Sequence, residues 1–219
     1  MPRAHRDAAW RLARLRQARL YLCTPLRERL GGFVERVLAT GVDVVQLRDK
    51  HAAREDLAAA AEDLRAVCAR HDALLIVNDD PALAAEVDAD GVHVGQDDGT
   101  VTDARAAVTA HRLVGRSTHG PAQLTAALRT DADYLGVGPV HATPTKEGRP
   151  GVGLGPVRDA VARADRPWFV TGGMTPHTIP EVVAAGAERV VVVRALTEAD
   201  DPVAATAALR AAIAPAPPR

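Results

Sequence analysis

Apolar residues along the chain gather into eight short runs: Arg19–Cys23, Val42–Leu47, Leu74–Val77, Gly91–Gly95, Leu113–Arg116, Tyr134–Val140, Trp168–Thr171 and Arg189–Val193. Most are rich in β-branched or aliphatic residues and too short for a helix, which predicts strands buried on both faces. Ala-rich segments with helical spacing lie between them. In the longest, Ala53–Arg70, Leu57, Ala61, Leu64 and Cys68 form one stripe, with Arg54, Glu62 and Arg65 off it. Further helices are predicted to open at Pro81, Pro121, Pro156, Pro176 and Pro202, because proline suits a first turn, where its missing N–H is no loss. Strand and helix thus alternate about eight times, which implies a parallel sheet with right-handed crossovers. Eight units in 219 residues fit a closed α/β barrel, a single (β/α)8 TIM barrel, better than an open sheet. Residues 1–18 read as a solvated N-terminal helical extension, 19–213 as the barrel, and 214–219 (APAPPR) as a frayed end.

Composition narrows the function. There are 27 Lys plus Arg against 28 Asp plus Glu, a net charge of −1, which argues against a nucleic-acid partner. No apolar run approaches the roughly 18 residues needed to cross a membrane, so no membrane partner is expected. Cys23 and Cys68 belong to no CxxC or His/Cys cluster and read as buried thiols in a reducing, cytoplasmic setting. Alanine and arginine fill most surface positions, whereas there are only two lysines (Lys50, Lys146), one serine (Ser117) and one asparagine (Asn78).

In such a barrel, chemistry sits at the C-terminal ends of the strands. Gln46, Arg48 and Lys50 follow the second strand. Asn78, Asp79 and Asp80 follow the third, and Gln96, Asp97 and Asp98 the fourth. Ser117, Thr118 and His119 follow the fifth, and Thr143, Thr145 and Lys146 the sixth. Gly172 and Gly173 follow the seventh, and Arg194 ends the eighth. The residue types that are scarce elsewhere all fall in this set.

Period-two alternation turns Gln46, Arg48 and Lys50 one way and Leu47 the other, a set suited either to phosphate oxygens or to a solvated strand end. Asp79 and Asp98 end neighbouring strands and could share a Mg²⁺, which keeps room for substrate oxygens. Asp79 equally suits capping the helix at Pro81, and Asp80 and Asp97 leave the assignment open. Thr143, Thr145 and Lys146 suit an anion under a mobile loop. Thr171-Gly-Gly-Met174 ahead of Pro176, with Val193-Arg194, suits a phosphate at a glycine-rich turn. His93 reads as a satisfied barrel-interior residue. Two anion seats at one rim, one with a metal and two cations, point to a transferase that releases diphosphate.

The segments QLRDK (46–50), VNDD (77–80), DGVHVGQDD (90–98), GRSTH (115–119), DYLGVGPVHATPTK (133–146) and TGGM (171–174) resemble, in order, the thiamine-phosphate synthase family. The resemblance runs from about Leu20 to Leu196. It implies small-molecule substrates: 4-amino-2-methyl-5-hydroxymethylpyrimidine diphosphate and 4-methyl-5-(2-hydroxyethyl)thiazole phosphate, joined with Mg²⁺ to give thiamine phosphate and diphosphate. It also implies that Gln46, Leu47, Arg48, Asp49, Lys50, Asn78, Ser117 and Lys146 hold the pyrimidine diphosphate. Arg48, Lys50, Ser117 and Lys146 would be catalytic, with Asp79 and Asp98 on the metal. Thr143, Pro144, Thr145, Gly173, Val193 and Arg194 would hold the thiazole phosphate. The family pattern has Ser where Arg194 stands and Ile where Thr171 stands. Two rival readings are a thiazole tautomerase on a related barrel and a phosphate-binding barrel without catalysis. The oligomeric state, homo-oligomer included, is left open by the sequence.

Overall fold

The computed structural model describes residues 6–142 and 151–214. Among the described residues, eight strands close into one barrel in chain order, every pairing parallel: β1 (Leu20–Thr24), β2 (Val44–Leu47), β3 (Leu74–Asn78), β4 (Gly91–Val94), β5 (Leu113–Thr118), β6 (Tyr134–Val137), β7 (Trp168–Val170) and β8 (Val190–Val192). The helices are α1 (Ala8–Gln17), α2 (Leu30–Thr40), α3 (Arg54–Arg70), α4 (Pro81–Glu86), α5 (Val101–Val108), α6 (Pro121–Leu128), α7 (Gly155–Arg163), α8 (Ile179–Ala184), α9 (Arg194–Thr197) and α10 (Pro202–Ile213). No helix among the described residues is long and apolar enough to cross a membrane.

Strand alternation sorts the side chains into two layers. Leu20, Leu22, Val45, Leu47, Leu75, Val77, Val92 and Val94 face outward and pack with the helices. Tyr21, Val44, Leu74, Ile76, Leu113, Tyr134 and Phe169 fill the barrel interior. Phe169 meets Tyr21 and Tyr134 nearly edge-on, at centroid distances of 5.3 and 5.9 Å, the arrangement that aromatic quadrupoles favour.

Several predicted element bounds shift. The fifth strand, expected to end at Arg116, runs on to Thr118, so Ser117 lies within it and not after it. The strand expected to reach Val140 ends at Val137, because Pro139 has no N–H for the ladder. The helix expected at Pro176 begins at Ile179, with Pro180 in its first turn. A turn closed by Thr175 and Thr178 precedes it, with the Thr175 N–H donating to Thr178 Oγ1 at 2.9 Å. Arg194 does not end β8; it opens α9.

The N-terminal helix is not solvated. Leu15 is fully buried, and Leu15, Trp10 and Leu12 pack against the lower interior layer, so α1 plugs the barrel at the strands' N-terminal end. Its Arg11, also buried, reaches Asp90, which is bonded to Arg6 as well, at 3.1 and 2.7 Å. An amphipathic face was hidden by the density of arginines, whose long stems lie along apolar surface while the charged heads find acids.

Asp90 is one of three aspartates with the same job. Asp43, Asp90 and Asp133 each stand immediately before an even-numbered strand. Each side chain accepts from the backbone N–H at or near the start of the preceding odd-numbered strand: Leu20 at 3.0 Å, Leu75 at 3.0 Å and Val114 at 2.7 Å. Each backbone N–H donates to the carbonyl of the same residue. Each carboxylate also takes an arginine from a helix: Arg210 of α10, Arg11 of α1 and Arg105 of α5. These reciprocal clamps fix strand register at the end opposite the chemistry.

Candidate active site

The C-terminal strand ends open into a cavity of about 620 Å³. Gln46, Arg48, Asp49, Lys50, Asn78, Asp79, Asp98, Ser117, Gly173, Val193 and Arg194 all line it. Residues far apart in sequence thus share one mouth. Thr143, Pro144, Thr145 and Lys146 lie outside the described residues.

At the β2–β4 side, Lys50 bridges the two aspartates. Its Nζ stands 3.1 Å from Asp79 Oδ2 and 3.6 Å from Asp98 Oδ1. Asp79 is the residue after β3 and takes a left-handed φ of 60°, a conformation aspartate tolerates better than most residues. Its backbone N–H donates to the His93 carbonyl at 2.9 Å, which holds it in place. Burial is the largest influence on the Asp79 carboxyl and raises it above the usual carboxylate range. The hydrogen bond from Lys50 opposes that shift, and the charge of Asp98 adds to it. Asp98 folds back over Gly95, where any Cβ would overlap its carboxylate. Arg116 steadies the same loop by donating to the Gly95 and Gly99 carbonyls, each at 2.7 Å.

The helix cap falls to the neighbouring acid. Asp80 Oδ1 accepts from the Leu83 N–H at 2.8 Å at the start of α4, and Asp80 pairs with Arg54. Two carboxylates converging on one cationic nitrogen fit a divalent ion of the Mg²⁺ kind, which takes one or two protein carboxylates and fills its shell with water or phosphate oxygens. Among the described residues there is no group of three or more His, Cys, Asp or Glu that would make a closed protein cage.

Two members of the 46–50 run are placed differently from the rest. Leu47 turns outward into the helix-facing core and does not line the cavity, as strand alternation requires. Asp49 lines the cavity, but its carboxylate accepts from the backbone N–H groups of Leu26 at 3.3 Å and His51 at 3.1 Å. Across the mouth, the loops after β6 and β7 are stitched together: the Val140 N–H donates to the Thr171 carbonyl at 2.8 Å. Gly173 and Arg194 sit on that side, with the Arg194 side chain about half exposed.

Sequence reasoning missed the cavity floor. Tyr21, Cys23, Tyr134 and Phe169 line it from below. The scarcity argument that singled out serine and lysine applies to the tyrosines too, since the chain has only two, and both are here.

Comparison with known proteins agrees with this geometry. The family model described as thiamine monophosphate synthase matches residues 20–196. A thiamine-phosphate synthase of Thermobifida fusca is 50% identical over 202 residues, covering 90% of this chain and 93% of the relative. One from Mycobacterium tuberculosis is 47% identical over 216 residues, covering 92% and 97%. Among solved structures, a thiamine phosphate pyrophosphorylase from Pyrococcus furiosus superposes with a TM-score of 0.83 at 28% identity, covering 91% of this chain and 96% of that one. A 3-hexulose-6-phosphate synthase gives 0.68, at 28% identity, covering 90% and 100%. With a family match across nearly the whole barrel, and with relatives near half identity over nine-tenths of its length, this chain belongs to the thiamine monophosphate synthase family.

Proposed function

We propose that this chain is a transferase that condenses 4-amino-2-methyl-5-hydroxymethylpyrimidine diphosphate with 4-methyl-5-(2-hydroxyethyl)thiazole phosphate, giving thiamine phosphate and diphosphate. The observation that carries this reading is Lys50 held between Asp79 and Asp98 at the mouth of a cavity whose opposite side carries Gly173 and Arg194. With a divalent cation on Asp79 and Asp98, the first side would take a polyanion; the second suits a phosphate.

The chemistry asks little of a protein nucleophile. Breaking the bond from the pyrimidine methylene carbon to the diphosphate oxygen leaves negative charge on diphosphate and positive charge on the methylene, which the electron-rich aminopyrimidine delocalises. Arg48 and Lys50 supply fixed positive charge beside the departing anion, in a cavity where such charge acts more strongly than in water. Ser117 and Asn78, which line the same cavity, would hydrogen-bond the same substrate. Magnesium held by Asp79 and Asp98 would supply further neutralisation of the diphosphate. The thiazole nitrogen then attacks the methylene carbon, and holding the two rings in line provides the rest of the acceleration.

The test is to incubate pure protein with both substrates and Mg²⁺ and to measure thiamine phosphate and diphosphate. Equal amounts of the two products are expected, abolished by EDTA and restored by added Mg²⁺. Isomerisation of the thiazole alone would favour a tautomerase, and ligand binding without turnover a non-catalytic barrel; either result overturns the reading.

A further inference from the structure

Beneath the rim, six side chains form one continuous hydrogen-bonded line across the barrel interior. The Cys23 thiol donates to Gln46 Oε1 at 3.2 Å, and Gln46 Nε2 donates to the Tyr21 hydroxyl at 2.8 Å. The Tyr21 and Tyr134 hydroxyls are 3.1 Å apart. The Tyr134 hydroxyl lies 3.3 Å from His93 Nδ1, and His93 Nε2 lies 2.9 Å from Ser117 Oγ. The line therefore begins and ends on cavity groups, Cys23 and Ser117, that sit on different strands, and it passes through a third, Gln46.

Strand register makes the crossing feasible. His93 of β4 pairs with Gly115 of β5, and Gly115 pairs with Tyr134 of β6. A Cβ on Gly115 would overlap both the end of the Tyr134 ring and His93 Nδ1. Only bare backbone at that position leaves the imidazole and the phenol room to meet.

Proton counting gives the line a direction. An amide nitrogen only donates, so the Tyr21 oxygen accepts from Gln46, and its single proton goes to Tyr134. The single proton of Tyr134 then goes to His93 Nδ1. Burial, first, raises both phenols above their usual range, so both keep those protons at neutral pH. A neutral imidazole that accepts at Nδ1 carries its hydrogen at Nε2, which donates to Ser117 Oγ. The proton of Ser117 is thereby left for an acceptor in the cavity.

We propose that Tyr21, Tyr134 and His93 are positioning residues that fix the amide orientation of Gln46 and make the Ser117 hydroxyl a donor toward an acceptor atom of the bound pyrimidine diphosphate. This rests on the condensation reading for the ligand, but not for the order of protons.

Two measurements test it. The first is nitrogen NMR of imidazole-labelled protein without substrate, with His93 assigned by the signal lost in His93→Gln. A pyridine-type Nδ1 and a pyrrole-type Nε2 are expected, and Tyr134→Phe should relax that preference by removing the donor to Nδ1. A hydrogen on Nδ1 in the wild type overturns the proposal. The second is a kinetic cycle. Tyr134→Phe keeps the ring packing and leaves Gln46 bonded to Tyr21 and Cys23, so its effect passes through His93 to Ser117. It should lower kcat/KM for the pyrimidine diphosphate by up to about tenfold, the upper end of the worth of one ordinary hydrogen bond. The KM for thiazole phosphate should stay within about twofold. In a Ser117→Ala background, the same change should cost less than about twofold, because the group it acts through is gone. The same loss repeated in full in that background sinks the proposal. Should the wild type make no thiamine phosphate, the functional reading fails, while the nitrogen spectrum still judges the relay.

Discussion

Asp79→Asn is expected to lower turnover by on the order of 100-fold, the scale seen when one preorganised electrostatic group is lost from a transition state, while leaving the melting temperature unchanged or slightly raised. Asparagine has nearly the same shape and, like aspartate, tolerates the left-handed backbone of position 79 better than most residues with a side chain, so the substitution removes charge and little else. The stability side follows from the direction of the shift. Burial, the largest influence, raises the Asp79 carboxyl in the folded state. The ionised form therefore costs folding free energy once the pH exceeds the folded value, and that cost disappears as the pH falls below the unfolded value. At neutral pH the variant escapes it, while Lys50 retains Asp98 as a partner. Steady-state assays and thermal melts on the two proteins check both halves. The adjacent acid is the contrast: Asp80→Ala removes the cap on α4 and should cost about 1 kcal/mol of stability with turnover largely kept. A large activity loss at position 80 and none at 79 would reverse the assignment.

Asp90→Ala is expected to be the most damaging single change to the fold. The residue is 3% exposed, and its carboxylate holds the Leu75 N–H, Arg6 and Arg11 together. Removing it leaves the Arg11 guanidinium buried without that acid and frees the N-terminal plug from β3. Breaking a buried pair in this way costs about 3–5 kcal/mol, which in a chain of this size lowers the melting temperature by on the order of 10 °C. Thermal or urea unfolding measures it. The double variant Asp90→Ala, Arg11→Met tests the cause, because deleting the stranded charge should recover part of the loss. Were the double variant no more stable than the single one, the buried-charge explanation would be wrong.

Much of the architecture was legible in the amino-acid order because a parallel barrel writes itself locally. Eight short apolar runs and the Ala-rich segments between them require only nearest-neighbour patterning, and the prolines at 81, 121, 156 and 202 do fall in first turns. Pro176 misled because a turn through Thr175 and Thr178 uses proline as readily as a helix start does. The three clamping aspartates escaped notice for a different reason. An Asp ahead of a strand reads as ordinary punctuation until the neighbouring strand's N–H is seen bonded to it.

Periodicity and strand-end position are properties of the chain's order, so closure into a (β/α)8 barrel and the gathering of scarce polar residues at one rim were readable from the amino acids. Tertiary structure alone decided which of two adjacent aspartates faces the cavity and which caps a helix. It also decided that α1 plugs the barrel, and that Tyr21, Tyr134 and His93 connect Gln46 to Ser117. Those outcomes depend on distances between strands not adjacent in sequence, set by barrel closure and by the space a glycine at position 115 leaves open.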